Sequence, residues 1–105
     1  MAAATLKDLG NGQLAAAKGT LYTVPAATNA AVKVTLVNTD ASARTINLYT
    51  NKTGTSRRFS PKDMNLLVGA LWTSGIQTLE TGDLIEGDAS SATVVDYTIN
   101  GFEVA

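Results

Sequence analysis

The chain has 105 residues, nine acidic and eight basic side chains, and neither cysteine nor histidine. Those absences exclude disulfides, Cys/His zinc sites and hydrolase mechanisms in which a histidine activates the nucleophile. A net charge of −1 argues against general nucleic-acid affinity, which needs many Lys and Arg acting together on phosphates.

This length sets a single domain. An apolar share of 45% supports one core and argues against disorder. Aromatics are few, so Val, Ile, Leu and Ala must fill that core.

The opening "MAAATLKDLG" lacks the basic start and apolar stretch of a signal peptide, so none is expected. No apolar run approaches the ~20 residues of a membrane helix. Gly10 and Gly12 predict a flexible N-terminal arm over residues 1–12, with the folded domain over 13–105. "QLAAAK" is too short for a stable helix and reads as a strand or arm near 14–18.

From Leu21 onward the apolar period is two. Val32, Val34 and Leu36 share one face of "AVKVTLVN", with Lys33 and Thr35 opposite. Ile46 and Leu48 share a face of "RTINLYT", with Thr45, Asn47 and Tyr49 opposite. In "TVVDYTIN", Val95, Tyr97 and Ile99 alternate with Asp96 and Thr98. Such half-wet strands are the antiparallel habit. "NTDASA" (38–43) reads as a hairpin loop, and "NKTGTS" as a turn in which Gly54 takes positive φ. Pro61 ends an edge strand near 56–60. A strand is predicted over 65–72, another over 76–80 or 83–87, and the last over 93–104 with a bulge at Asn100-Gly101.

About eight short strands at this spacing predict an all-β, single-domain antiparallel sandwich, jelly-roll-like, with an immunoglobulin-like sandwich as the alternative.

No residue set stands out as catalytic or as binding a cofactor. Ser60 and Lys62 lie close in sequence, which happens constantly without a dyad. Asp83, Glu86 and Asp88 crowd "GDLIEGD", where turns with acids facing water are the plain reading and a calcium loop the sharper one. No metal site is expected. Trp72 follows the apolar "LLVGAL" and is read as core or subunit contact. Lys52, Arg57, Arg58 and Lys62, half of the basic residues, fall within eleven positions. On an edge strand they discourage stray pairing and offer Arg forks to carboxylates of a partner.

"LGNGQLAAAKGTLYTVPA", "VTLVNTDASARTINLYTN", "TSRRFSPKDMNL" and "LETGDLIEGDASSATVVDYTINGFE" together resemble small virion-associated structural proteins of tailed bacteriophages. The resemblance spans about Leu9 to Glu103 and rests on turn-and-strand patterns, including Ser56-Arg57-Arg58 and the Tyr22–Pro25 step. It implies a capsid decoration or cement protein in the virion, made in the host cytoplasm and often trimeric, with the major capsid protein or another virion protein as partner. A tail or fibre module binding host-surface carbohydrate is the alternative. Neither implies a cofactor, nucleic acid or membrane. The expected partner interface comprises Arg57, Arg58, Lys62, Trp72, Leu9 and Leu14.

Overall fold

A computed structural model describes the backbone of residues 5–104 and the side chains from residue 8 onward. The described residues form β1 (Thr5–Gln13), β2 (Gly19–Thr23), β3 (Asn29–Asn38), β4 (Arg44–Lys52), β5 (Thr55–Arg58), β6 (Met64–Leu66), β7 (Leu71–Thr73), β8 (Gln77–Leu79), β9 (Leu84–Ala89) and β10 (Val95–Val104). They include no helix long and apolar enough to cross a membrane.

All pairings are antiparallel and fall into two sheets. Sheet A runs β1-β10-β3, with β7 and β8 sharing the far edge of β3. Sheet B runs β2-β9-β4, with β5 and β6 sharing the far edge of β4. Counting β5 with β6 and β7 with β8 as interrupted strands leaves positions ordered 1-8-3-6 and 2-7-4-5. That wrapping is a jelly roll and differs from the ABED/CFG division of an immunoglobulin domain.

The predicted alternation builds the core. Val32, Val34 and Leu36 of β3, Ile46 and Leu48 of β4, and Val95 and Ile99 of β10 are all buried. Each such side chain contributes about 1.5–3 kcal/mol when fully buried. The gap in each interrupted edge strand is bridged by a buried serine. Ser60 Oγ accepts the Leu48 N–H of β4 at 3.0 Å, and Ser74 Oγ accepts the Val34 N–H of β3 at 2.9 Å. Two inner strands thereby keep a partner where their neighbours break.

Several expectations need correction. Residues 5–12, predicted as a free arm, lie in β1 and pair with β10, whose ten residues are long enough to hold a neighbour on each edge. Residues 1–4 lie outside the described residues. Residues 14–18 form no strand. The 38–43 link is an arch rather than a hairpin, since β3 belongs to sheet A and β4 to sheet B. Residues 65–72 are two strands in different sheets, separated by a turn in which Gly69 takes φ 70°. Both 77–79 and 84–89 are strands. The bulge sits at Leu9 of β1, while β10 stays in register with β3 throughout. Phe102 and Val104 therefore remain on the outer face. The β4–β5 turn is as expected, with Thr53 at φ 51° and Gly54 at φ 87°, the positive pair of a two-residue hairpin loop.

Candidate functional site

The sandwich leaves two outer sheet faces, and they differ in chemistry. On sheet B, β4 directs Asn47 and Tyr49 outward, and β9 sets Asp88 opposite Asn47 and Glu86 opposite Tyr49. Period-two alternation puts all four on one surface. Asn47 is its hub. Its Nδ2 donates to Asp63 Oδ1 at 3.0 Å and to Asp88 Oδ1 at 3.2 Å. Its Oδ1 accepts the Asp63 N–H at 2.9 Å and Arg58 Nε at 3.2 Å. Tyr49 donates its hydroxyl to Asp88 Oδ2 at 3.2 Å, and the cations of Lys18 and Arg58 lie 4.9 and 5.2 Å from its ring centre. Burial raises the Tyr49 phenol pKa and the nearby Asp88 carboxylate adds to it, which keeps the hydroxyl a donor. Ser56 joins the network by donating to Glu86 Oε1 and accepting from Lys18. This face satisfies its own polar groups.

The outer face of sheet A is less closed. Near the start of β3, Ala31, Val32, Lys33, Ile76, Gly101 and Phe102 line a shallow groove of about 170 Å³. Beside it, Ala30, Leu79, Val104, Lys52 and Glu80 help line a second depression of about 350 Å³ that shares Ala31 and Phe102. Ile76 is 69% exposed and Phe102 43%. Beyond the other end of β3, Leu67, Val68 and Leu71 stand 60%, 57% and 65% exposed on the β6–β7 turn. Near Tyr97, Asp8, Asn11, Gln13, Asp96 and Thr98 line a polar depression of about 430 Å³. Gln13 Nε2 already donates to Asp96, and Asp8 accepts from the Gly10 N–H and from Asn11.

The predicted interface residues do not converge. Arg57 and Arg58 are both exposed on edge strand β5, but successive strand residues point to opposite faces. Arg58 lies over Tyr49, and among the described residues the Arg57 side chain makes no hydrogen bond or ion pair. Lys62 is exposed in the turn after Pro61, and Lys52 donates to the Thr78 carbonyl at 2.8 Å. The basic cluster is thus divided, with two members engaged inside the chain. Trp72 is half-buried on β7 opposite Leu36 and packs against the core. Leu9 packs there too, from the β1 bulge. Leu14 is fully buried, so it belongs to the core and presents no surface to a partner.

The three acids of "GDLIEGD" are separated as well. Asp83 is buried and closes the β8–β9 turn by accepting the Glu80 N–H at 2.9 Å, whereas Glu86 and Asp88 serve the sheet B network. Among the described residues, no three acids converge as metal ligands would. Sequence reasoning missed the Asn47 hub. Its outward alternation with Tyr49 was a usable signal, but its partners Arg58, Asp63 and Asp88 come from three other segments.

No protein-family model matches the chain, and no curated protein matches it in sequence. Solved structures that share its fold include the following two. A chain from the acidic-stable capsid of Helicobacter pylori bacteriophage KHP30 superposes with a TM-score of 0.59, and a chain from the disulfide-linked pili of Bacillus endospore appendages with 0.58. Each is 15% identical, and each alignment covers 100% of this chain and 90% of the other. The likeness is one of architecture, shared with a chain of a phage capsid structure and a chain of an endospore appendage.

Proposed function

We propose that this chain is a structural protein of a bacteriophage particle, and within that class a decoration or cement protein that stabilises the head shell through protein–protein contacts. The observation that supports it most is the pairing of a jelly roll like that of a phage capsid chain with a surface of shallow, largely apolar depressions and exposed Leu, Ile and Phe side chains. Exposed apolar patches of this kind mark protein contacts. The reading assigns no catalytic role. It places the protein in the virion after synthesis in the host cytoplasm, with the major capsid protein or another virion protein as partner, and copies grouped as a trimer. A protein that binds only the assembled lattice stabilises it by mass action. Repeated weak contacts gain strength through multivalency.

Arg57 and Lys62 are the free cations of the β5–β6 region and would meet acids of the shell. The test is co-sedimentation of purified protein with particles that lack it. Wild type should bind and raise the temperature of shell disruption, and the Arg57→Ala/Lys62→Ala double variant should bind several-fold more weakly. A wild-type protein that stays in the supernatant contradicts the shell reading.

The alternative, a tail or fibre module for host-surface carbohydrate, has the polar depression beside Tyr97 in its favour. Its amides and carboxylates suit sugar hydroxyls, but Asp8, Gln13 and Asp96 are already bonded to neighbours. A glycan array showing selective binding that Asn11→Ala abolishes would favour it.

A further inference from the structure

Two exposed apolar features, a turn and a groove, lie toward opposite ends of sheet A. The first is convex. The turn over residues 67–71 carries three well-exposed aliphatic side chains, and the run Met64–Leu71 contains no charge. The turn is also fixed in place. The Ala70 N–H donates to the Leu67 carbonyl at 2.9 Å, and the Gly69 N–H to the Asn38 carbonyl at 3.0 Å. Buried Asn38 donates from Nδ2 to the Leu66 carbonyl at 2.9 Å. A rigid apolar turn loses little freedom on docking.

The second is concave. The groove of about 170 Å³ between Ile76 and Phe102 has Ala31, Val32 and Gly101 as its floor. Leu71 pairs with Val37, six residues along β3 from Ala31, or about 20 Å at strand spacing. Turn and groove therefore cannot meet within one copy.

Charge follows the same division. Lys33 lines the groove, and among the described residues its side chain makes no hydrogen bond or ion pair. Asp96 stands on the outer face in the row of Val37 and Leu71, at the turn end. Opposite signs at the two ends favour a second copy of this chain over an unrelated apolar partner.

We propose that copies of this chain join head to tail, with the Leu67–Leu71 turn of one copy seated in the Ile76–Phe102 groove of the next and Asp96 facing Lys33. The contact is heterologous and builds a ring if its rotation closes and a filament if it does not. It goes beyond the particle reading and stands or falls independently of binding to a shell.

Sedimentation velocity over a concentration series tests it with wild type, Leu71→Asp and Ile76→Asp, each confirmed as folded by circular dichroism. Both substitutions are on exposed side chains. Wild type should sediment as an oligomer and each variant as a monomer. An equimolar mixture of the two variants should form a dimer, because one retains the groove and the other the turn. Lys33→Asp and Asp96→Lys should each weaken assembly, and the chain carrying both should recover it. A monomeric wild type, a mixture that stays monomeric, or variants that assemble like wild type would overturn the proposal.

Discussion

The outer face of sheet B and that of sheet A share one fold and one strand geometry, yet they use their side chains in opposite ways. Sheet B closes on itself: Asn47, Tyr49, Arg58, Asp63 and Asp88 bond to or stack on one another. Sheet A leaves Ile76, Phe102 and Leu71 exposed and Lys33 without a partner. A polar cluster that satisfies its own donors and acceptors has less to gain from a partner, whereas exposed apolar surface gains by being covered. Sheet B's face is therefore a stability element, and sheet A's face is where contact with other proteins is expected.

Substitutions can break this comparison or sharpen it. The largest effect is expected inside sheet A. A Cβ at Gly101 would overlap the Ala31 carbonyl oxygen, and backbone cannot give way as a side chain can. Gly101→Ala should cost about 3 kcal/mol or more in urea unfolding. Gly87 holds the matching place in β9, but its added Cβ would meet chiefly the Leu48 and Leu21 methyls at 2.9 and 3.1 Å, with the Asn47 carbonyl at 3.2 Å. Gly87→Ala should cost roughly half as much, about 1–2 kcal/mol.

Next comes the hub of sheet B. Asn47→Ala strands the Asp63 N–H and removes the bonds to two carboxylates, at a cost of about 2 kcal/mol. Asn100→Ala, on the exposed face of sheet A, should stay within about 0.5 kcal/mol. Equal effects of the two would contradict the division of labour between the faces. Ser60→Ala and Ser74→Ala each leave a buried strand N–H without its acceptor and should cost about 1–2 kcal/mol. Since they lie in different sheets, the double variant should be additive.

The smallest effects are in pH dependence. Tyr22, buried beneath sheet B, donates to Glu103 at 2.5 Å, and burial followed by that carboxylate raises its phenol well above the usual 10.0. A raised folded pKa gives stability that is complete below pH 10 and lost as pH climbs toward the folded value. Urea midpoints of wild type should therefore fall above pH 10, and those of Tyr22→Phe should fall less. Asp40 shows the opposite sign. Its hydrogen bond from Arg44, then that from the Ala41 N–H, lowers its pKa. The stability it confers is present above the unfolded carboxylate pKa and lost as pH falls through the lower folded one. Asp40→Asn should flatten the acid limb slightly, since this pair is at the surface.

The sequence made the inner strands plain. β3, β4 and β10 alternate between apolar and polar side chains because each lays one face on the core, and that alone identified an antiparallel sandwich. What stayed hidden was decided between segments. β1 carries Asp8, Gly10, Asn11 and Gly12, all of low β propensity, and it is a strand because β10 offers it a full-length edge. "LLVGAL" reads as one apolar strand, since apolar content cannot distinguish a buried strand from an exposed turn at Gly69. Gly101 reads as a bulge, but what it needs is close backbone approach to β3. The Asn47 network was half legible: alternation put Asn47 and Tyr49 outward, but only the fold brings Lys18, Arg58, Asp63 and Asp88 to them.

Quantitative mass spectrometry of purified particles tests the central claim most directly, by counting copies of this chain against the major capsid protein. The account predicts hundreds of copies, in fixed proportion to the shell lattice. A handful of copies, or none, would contradict it.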